Sequence, residues 1–125
     1  MTVVNQMDPN IRVNADQDLM QIVSNNLVNN AAKYGAEGGQ IQLSARQENG
    51  RVEVEVYNDG RPIRPEEMPM LFRKFSRLDN PEKKKVKGTG LGLYITKQIL
   101  EAHRGDIRVE PRERGNAFIF HIERE

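Results

Sequence analysis

No cysteine occurs in these 125 residues, which excludes disulfides and thiolate chemistry and fits a reducing compartment. Net charge is nearly absent as well. Charged residues make up 30% of the chain, yet 19 basic and 18 acidic side chains leave only +1, so bulk electrostatics gives nucleic acid no footing. No apolar run approaches the roughly 18–20 residues of a membrane span, and the opening residues lack the charged and apolar regions of a signal peptide. The expectation is a soluble chain. Its length suits one domain with an ordinary hydrophobic core. No nucleophile stands beside a paired acid and base, and the two histidines, His103 and His121, fall at a helix end and in a closing strand. Both are expected to be structural.

What is present is an odd helix. Asp16 is a natural cap for a helix running to about Tyr34, with Gly35, Gly38 and Gly39 ending it. At about 100° per residue, Leu19, Ile22 and Val23 turn toward a core, and the next places on that stripe are Asn26, Asn30 and Lys33. A buried amide without partners costs on the order of 1–3 kcal/mol, so these residues call for a polar ligand, a metal ion or bound water. The alternative is an amide network that fixes the helix to a loop.

Elsewhere the pattern is regular. Residues 11–14 could form a short strand. Ile41, Leu43 and Ala45, then Val52, Val54 and Val56, alternate with polar residues on either side of Asn49-Gly50, a strong hairpin signal. Asn58-Asp59-Gly60-Arg61-Pro62 reads as a turn, followed by a helical piece near Glu66 to Phe75. Ser76 to Lys87 is polar and basic without apolar periodicity, so a mobile loop is expected there. Leu91, Ile95 and Ile99 fall at helical spacing, with His103-Arg104-Gly105 as the stop. Ile107 with Val109, and Phe118 with Phe120 and Ile122, give two closing strands around a turn at Arg114-Gly115-Asn116. The expected fold is α+β, a two-layer sandwich with helices covering one face of a sheet.

Gly88-Thr89-Gly90-Leu91-Gly92-Leu93 lies between the basic loop and a helix start. Glycines permit close backbone approach, and the free N–H groups of a helix N-terminus attract phosphate. A dinucleotide-binding fingerprint needs a strand immediately before the glycines, and a Walker loop needs Gly-Lys-Ser/Thr; both are missing. Four segments in order are more specific than this one. Asn26-Leu27-Val28-Asn29-Asn30-Ala31-Ala32-Lys33-Tyr34, Asn58-Asp59-Gly60-Arg61-Pro62-Ile63, Leu71-Phe72-Arg73-Lys74-Phe75-Ser76-Arg77 and Gly88 to Leu93 closely resemble the N, G1, F and G2 boxes of sensor histidine kinases. The resemblance covers about Asp16 to Ile122, and it is to the catalytic ATP-binding domain of the GHKL superfamily.

That resemblance implies the Bergerat α/β sandwich with a mixed sheet, ATP lying between the helices under a flexible lid. It implies Mg²⁺ held by Asn30, with Asn26 nearby, Lys33 on phosphate and Tyr34 close to the nucleotide. Asn26, Asn30 and Lys33 would be the catalytic set. Gly60 and Ile63 would border the base, Arg77 and Lys87 would approach phosphate, and Gly88, Thr89, Gly90, Leu91, Gly92 and Leu93 would cradle it. Phe72 and Phe75 would anchor the start of the lid, Phe75 also bordering the nucleotide. Most members of the family have an Asp that accepts from the adenine amine, where this chain has Asn58. Asn58 can still accept through its carbonyl oxygen, and Asp59 is the competing candidate; on an extended segment only one of the two faces the base. Pro62 in place of a glycine stiffens the loop.

By the same resemblance the phosphoacceptor helices lie outside this chain, which is a single catalytic domain, monomeric alone and homodimeric in the full kinase. Partners would be the phosphoacceptor histidine domain and a downstream response regulator, with no nucleic acid, and the chain would be the cytoplasmic part of a sensor that is membrane-bound or soluble. Two other readings compete. The anti-sigma-factor serine kinases share the asparagine and glycine boxes but generally lack the Phe72-x-x-Phe75 element, and a degenerate nucleotide-binding regulatory module would account for the altered G1 box.

Overall fold

In chain order the computed structural model runs β1 (Thr2–Asn5), α1 (Gln17–Tyr34), β2 (Gln40–Glu48), β3 (Arg51–Asp59), a 3₁₀ helix (Pro65–Met70), α2 (Gly92–Ala102), β4 (Asp106–Arg112) and β5 (Gly115–Glu123). It describes residues 2–7, 15–35, 39–73 and 92–123, and of residues 2–5, 33 and 34 the backbone alone. The expected strand at 11–14 and loop at 76–87 lie outside the described residues, as does Phe75.

The five strands form one mixed sheet in the order β1-β2-β3-β5-β4. β1 pairs parallel with β2, and the other pairings are antiparallel. β1 was not anticipated from the sequence. The β2–β3 hairpin closes where expected: Asn49 and Gly50 take φ of +49° and +77°, the paired left-handed residues of a tight turn whose twist matches the strands. This sets Glu48 opposite Arg51 and Ile41 opposite Asn58. The β4–β5 turn is Glu113-Arg114, one place earlier than expected, because Gly115 is already paired with Arg112 and Asp59. Gly115 must be glycine, since a Cβ there would lie 2.0 Å from the Asn58 carbonyl oxygen.

Both helices cover the same face of the sheet. Val23, Leu27 and Ala31 of α1 and Leu100 of α2 pack with Ile41, Val56, Ile107, Phe118, Phe120 and Ile122 from the sheet. Full burial of a Leu, Ile or Phe side chain stabilises by about 1.5–3 kcal/mol, so this cluster holds the two layers together. Asp16 caps α1 by accepting from the Leu19 N–H at 3.0 Å. α2 ends with Arg104 at φ +60°, while the Gly105 N–H reaches the Leu100 carbonyl at 2.8 Å and the Arg104 N–H reaches Glu101 at 3.1 Å, the paired bonds of a Schellman stop.

Three expectations change. Ile22 is 41% exposed; the core line of α1 is Val23-Leu27-Ala31, and Asn26 and Asn30 flank it rather than continue it. On α2 the buried line is Thr96-Leu100, which leaves Ile95 39% exposed. The helical piece expected over 66–75 is a 3₁₀ helix ending at Met70, because Pro69 has no N–H to donate and the i→i−3 bonds Glu67–Arg64, Leu71–Met68 and Arg73–Met70 take over.

The outward face of the sheet carries alternating charge. Arg46 and Arg108 flank Glu53 at 3.1 and 3.7 Å, and Arg112 reaches Glu55 at 2.9 Å. Beneath these side chains Ala117 and Ile119 are buried.

Candidate functional site

The polar flank of α1 meets the start of α2. Asn26 is half-buried, and its Nδ2 donates to the Gly92 carbonyl and to Thr96 Oγ1, each at 3.3 Å. The first asparagine of the N box therefore touches the last glycine of the glycine motif. This is the amide network that the sequence left open as an alternative, although it joins helix to helix. One turn on, Asn30 is also half-buried, and its amide forms no hydrogen bond to any described residue. Lys33 and Tyr34 complete the last turn of α1, which closes with the Gly35 N–H on the Ala31 carbonyl at 2.8 Å; their side chains are outside the described set.

β3 supplies the second wall. Its alternation puts Val52, Val56 and Asn58 on the helix-covered side, and Asn58 is only 1% exposed. Asn58 Nδ2 donates to the Asp59 carbonyl at 3.1 Å, which leaves Oδ1 as the acceptor end without a described partner. Asp59 points the other way and is engaged at both oxygens, by the Gln40 N–H and the Tyr57 hydroxyl, each at 2.9 Å. Burial, and then the bond to Asp59, pushes the Tyr57 phenol up from its ordinary pKa.

The segment after β3 is held by two residues that the sequence reading did not single out. Asn116 of β5 accepts from the Ile63 N–H at 2.7 Å and donates to the Arg61 carbonyl at 2.9 Å. Glu67 receives both terminal nitrogens of Arg61, at 2.9 and 3.2 Å, together with the Arg64 N–H at 3.0 Å. The Arg61 bond is the main reason that its carboxyl falls to a pKa of about 2, with burial opposing. Ile63 itself lies in the core cluster, and the Gly60 N–H donates to the Arg114 carbonyl at 2.9 Å. Nothing at the sequence level marks Asn116. Glu67, three places after Arg64 and six after Arg61, had a visible partner pattern, and Thr96 was visible as a polar residue among the apolar ones of α2.

Leu93 packs against the core, as does Phe72, over which Lys97 Nζ sits 5.6 Å from the ring centre. Arg77, Lys87, Gly88, Thr89, Gly90 and Leu91 are outside the described residues. His103 bridges the helix ends, Nδ1 to the Ile99 carbonyl at 2.8 Å and Nε2 accepting the Asp16 N–H at 3.2 Å. His121 is half-buried in β5, opposite Glu53 and Asp106.

Among the described residues no three His, Asp or Glu side chains converge to hold a metal alone. The arrangement instead offers neutral amide oxygens. These suit a hard cation that keeps its waters and takes most of its other ligands from phosphates.

A family model described as histidine kinase-, DNA gyrase B-, and HSP90-like ATPase matches residues 15–125. The probable sensor kinase SilS of Salmonella typhimurium is 36% identical over 112 residues, covering 90% of this chain and 22% of that protein. The nucleotide-free catalytic domain of histidine kinase ThkA superposes with a TM-score of 0.84 at 36% identity, over 98% of this chain and 78% of that one. Full-length ShkA in complex with AMPPNP superposes with a TM-score of 0.81 at 25% identity, over 98% of this chain and 25% of that one. The chain spans about a fifth of the length of the curated relatives that it matches.

Proposed function

The chain belongs to the histidine kinase-, DNA gyrase B- and HSP90-like ATPase family, and from that membership we propose that it is the catalytic domain of a two-component sensor kinase. It binds Mg-ATP and donates the γ-phosphate to a histidine on a separate dimerisation and phosphoacceptor domain. The single observation that carries this is the bond from Asn26 Nδ2 to the Gly92 carbonyl, which joins the N box and the glycine box at one place, one helical turn from the Asn30 amide, which is unbonded among the described residues.

In this reading Asn30 Oδ1 is the protein ligand of Mg²⁺, Asn26 flanks it, Lys33 meets phosphate and Tyr34 lies along the nucleotide. Asn58 Oδ1 accepts from the adenine amine, with Gly60 and Ile63 bordering the base. Arg77 and Lys87 would approach phosphate, the 88–93 motif would cradle it, and Phe75 would border the nucleotide. Bound Mg²⁺ neutralises charge on the phosphates, and the protein's remaining work in phosphoryl transfer is positioning. That fits a site without a general acid–base pair. The phosphoacceptor domain and a response regulator are the partners, the whole kinase acts as a homodimer, and this domain works in the cytoplasm. The named relatives are sensor kinases, so neither the serine-kinase reading nor the degenerate-module reading is favoured.

Calorimetry tests the metal assignment. Asn30→Ala should remove the Mg²⁺-dependent part of ATP affinity, tenfold or more on the scale of a lost charge-assisted contact, and leave thermal unfolding unchanged. Equal Mg-ATP binding by variant and wild type would overturn it.

A further inference from the structure

Asn26 has two chemically different ends, and the fold decides which one is presented. A backbone carbonyl only accepts, so the end facing Gly92 has to be the NH₂. That bond uses one of the two N–H groups. Thr96 Oγ1, 3.3 Å from the same nitrogen, takes the other. Thr96 is 0% exposed, so water cannot stand in for its hydroxyl, and its branched side chain has few rotamers available within a helix. With both N–H groups spent on α2, the end of Asn26 left for a ligand is Oδ1, which has no partner among the described residues. It sits one helical turn from the amide of Asn30, on the same flank of α1.

We infer that Thr96 is a positioning residue of the nucleotide site: with the Gly92 carbonyl it locks the Asn26 amide so that an acceptor oxygen, not a donor, stands beside Asn30. The inference rests on the Mg-nucleotide reading above and adds a residue to it. Without the hydroxyl, the second N–H of Asn26 turns elsewhere and the oxygen loses its fixed direction, so the loss falls on the metal-dependent part of binding.

The test is the ratio of affinities for a non-hydrolysable ATP analogue with Mg²⁺ and with EDTA, measured by calorimetry on wild type, Thr96→Val and Thr96→Ser, with Thr96→Ala in place of Val if Val unfolds the chain. The ratio should fall about fivefold in Thr96→Val, in line with one lost hydrogen bond, while the EDTA affinity stays unchanged and Thr96→Ser restores the ratio. In the ligand-free protein the Asn26 side-chain amide resonance, assigned by its absence in Asn26→Asp, should shift in Thr96→Val and return in Thr96→Ser. An unchanged ratio, or a Ser variant as impaired as Val, overturns the role of Thr96 and leaves the site reading intact. A wild-type ratio of one overturns the metal reading and the positioning role with it. A shifted amide resonance would then mark the Asn26–Thr96 contact as purely structural.

Discussion

Asn58 and Asp59 are adjacent, both able to accept a hydrogen bond, and separated in role by the two-residue period of a strand. Asn58 faces the helices with its Oδ1 unbonded among the described residues, whereas Asp59 faces outward with both oxygens occupied. Asn58→Ala should therefore weaken ATP and ADP to a similar degree, since the lost contact is to the base, by about fivefold for one neutral hydrogen bond. Asp59→Ala should instead lower the unfolding midpoint, because the Gln40 N–H and the Tyr57 hydroxyl lose their acceptor. Binding titrations and urea melts on the two variants check this; damage to binding from Asp59→Ala alone would shift the assignment by one residue. An acceptor that keeps its oxygen without a charge is what Asn offers here, and the Asp59 carbonyl fixes the amide by taking its NH₂.

At the scale of elements, the 3₁₀ helix after β3 is held by a buried carboxylate and its arginines as well as by the packing of Met68 on the core. Glu67 is 6% exposed and carries the bonds from Arg61 and Arg64. Its carboxyl titrates at about 2 in the folded chain against 4.5 ordinarily. A depressed carboxylate stabilises fully above its unfolded pKa and loses that contribution as pH falls through the folded one. The window is thus from 4.5 down to about 2, and the difference corresponds to on the order of 3 kcal/mol. Urea unfolding of wild type and Glu67→Gln should show the wild type more stable by about that amount at pH 7, with the gap narrowing as the pH is lowered through that window. A gap independent of pH would place the stabilisation elsewhere. Because Asn116 also holds the Arg61 carbonyl and the Ile63 N–H, this pair helps to steady the stretch that leads away from Asn58.

For the whole molecule, the proposed chemistry needs a second domain. His103 is bonded at both ring nitrogens and His121 is half-buried in β5, so neither is presented as an acceptor. The isolated chain should bind ATP and hardly phosphorylate itself, and transfer should appear when a cognate histidine-bearing domain is added in trans. Stoichiometric acid-labile phosphate on the chain alone, read with labelled ATP, would contradict this. Much of the architecture was legible in the sequence because its signals are local. Asp16 as a cap, Asn49-Gly50 as a turn and the alternation in β2 and β3 depend on the backbone preferences of a few neighbouring residues. The order of the four boxes was likewise legible and pointed to the family. Which side chains meet across the fold was not. β1 is a strand because β2 lies beside it, Ile22 and Ile95 are exposed because the helix pair turns Val23 and Thr96 inward, and Asn26 is bonded to Gly92 because α2 crosses α1 there. Residue type and spacing determined the elements and the chemistry available, while the ends of the Asn26 and Asn58 amides left open to a ligand were decided by contacts that only the assembled layers bring within reach.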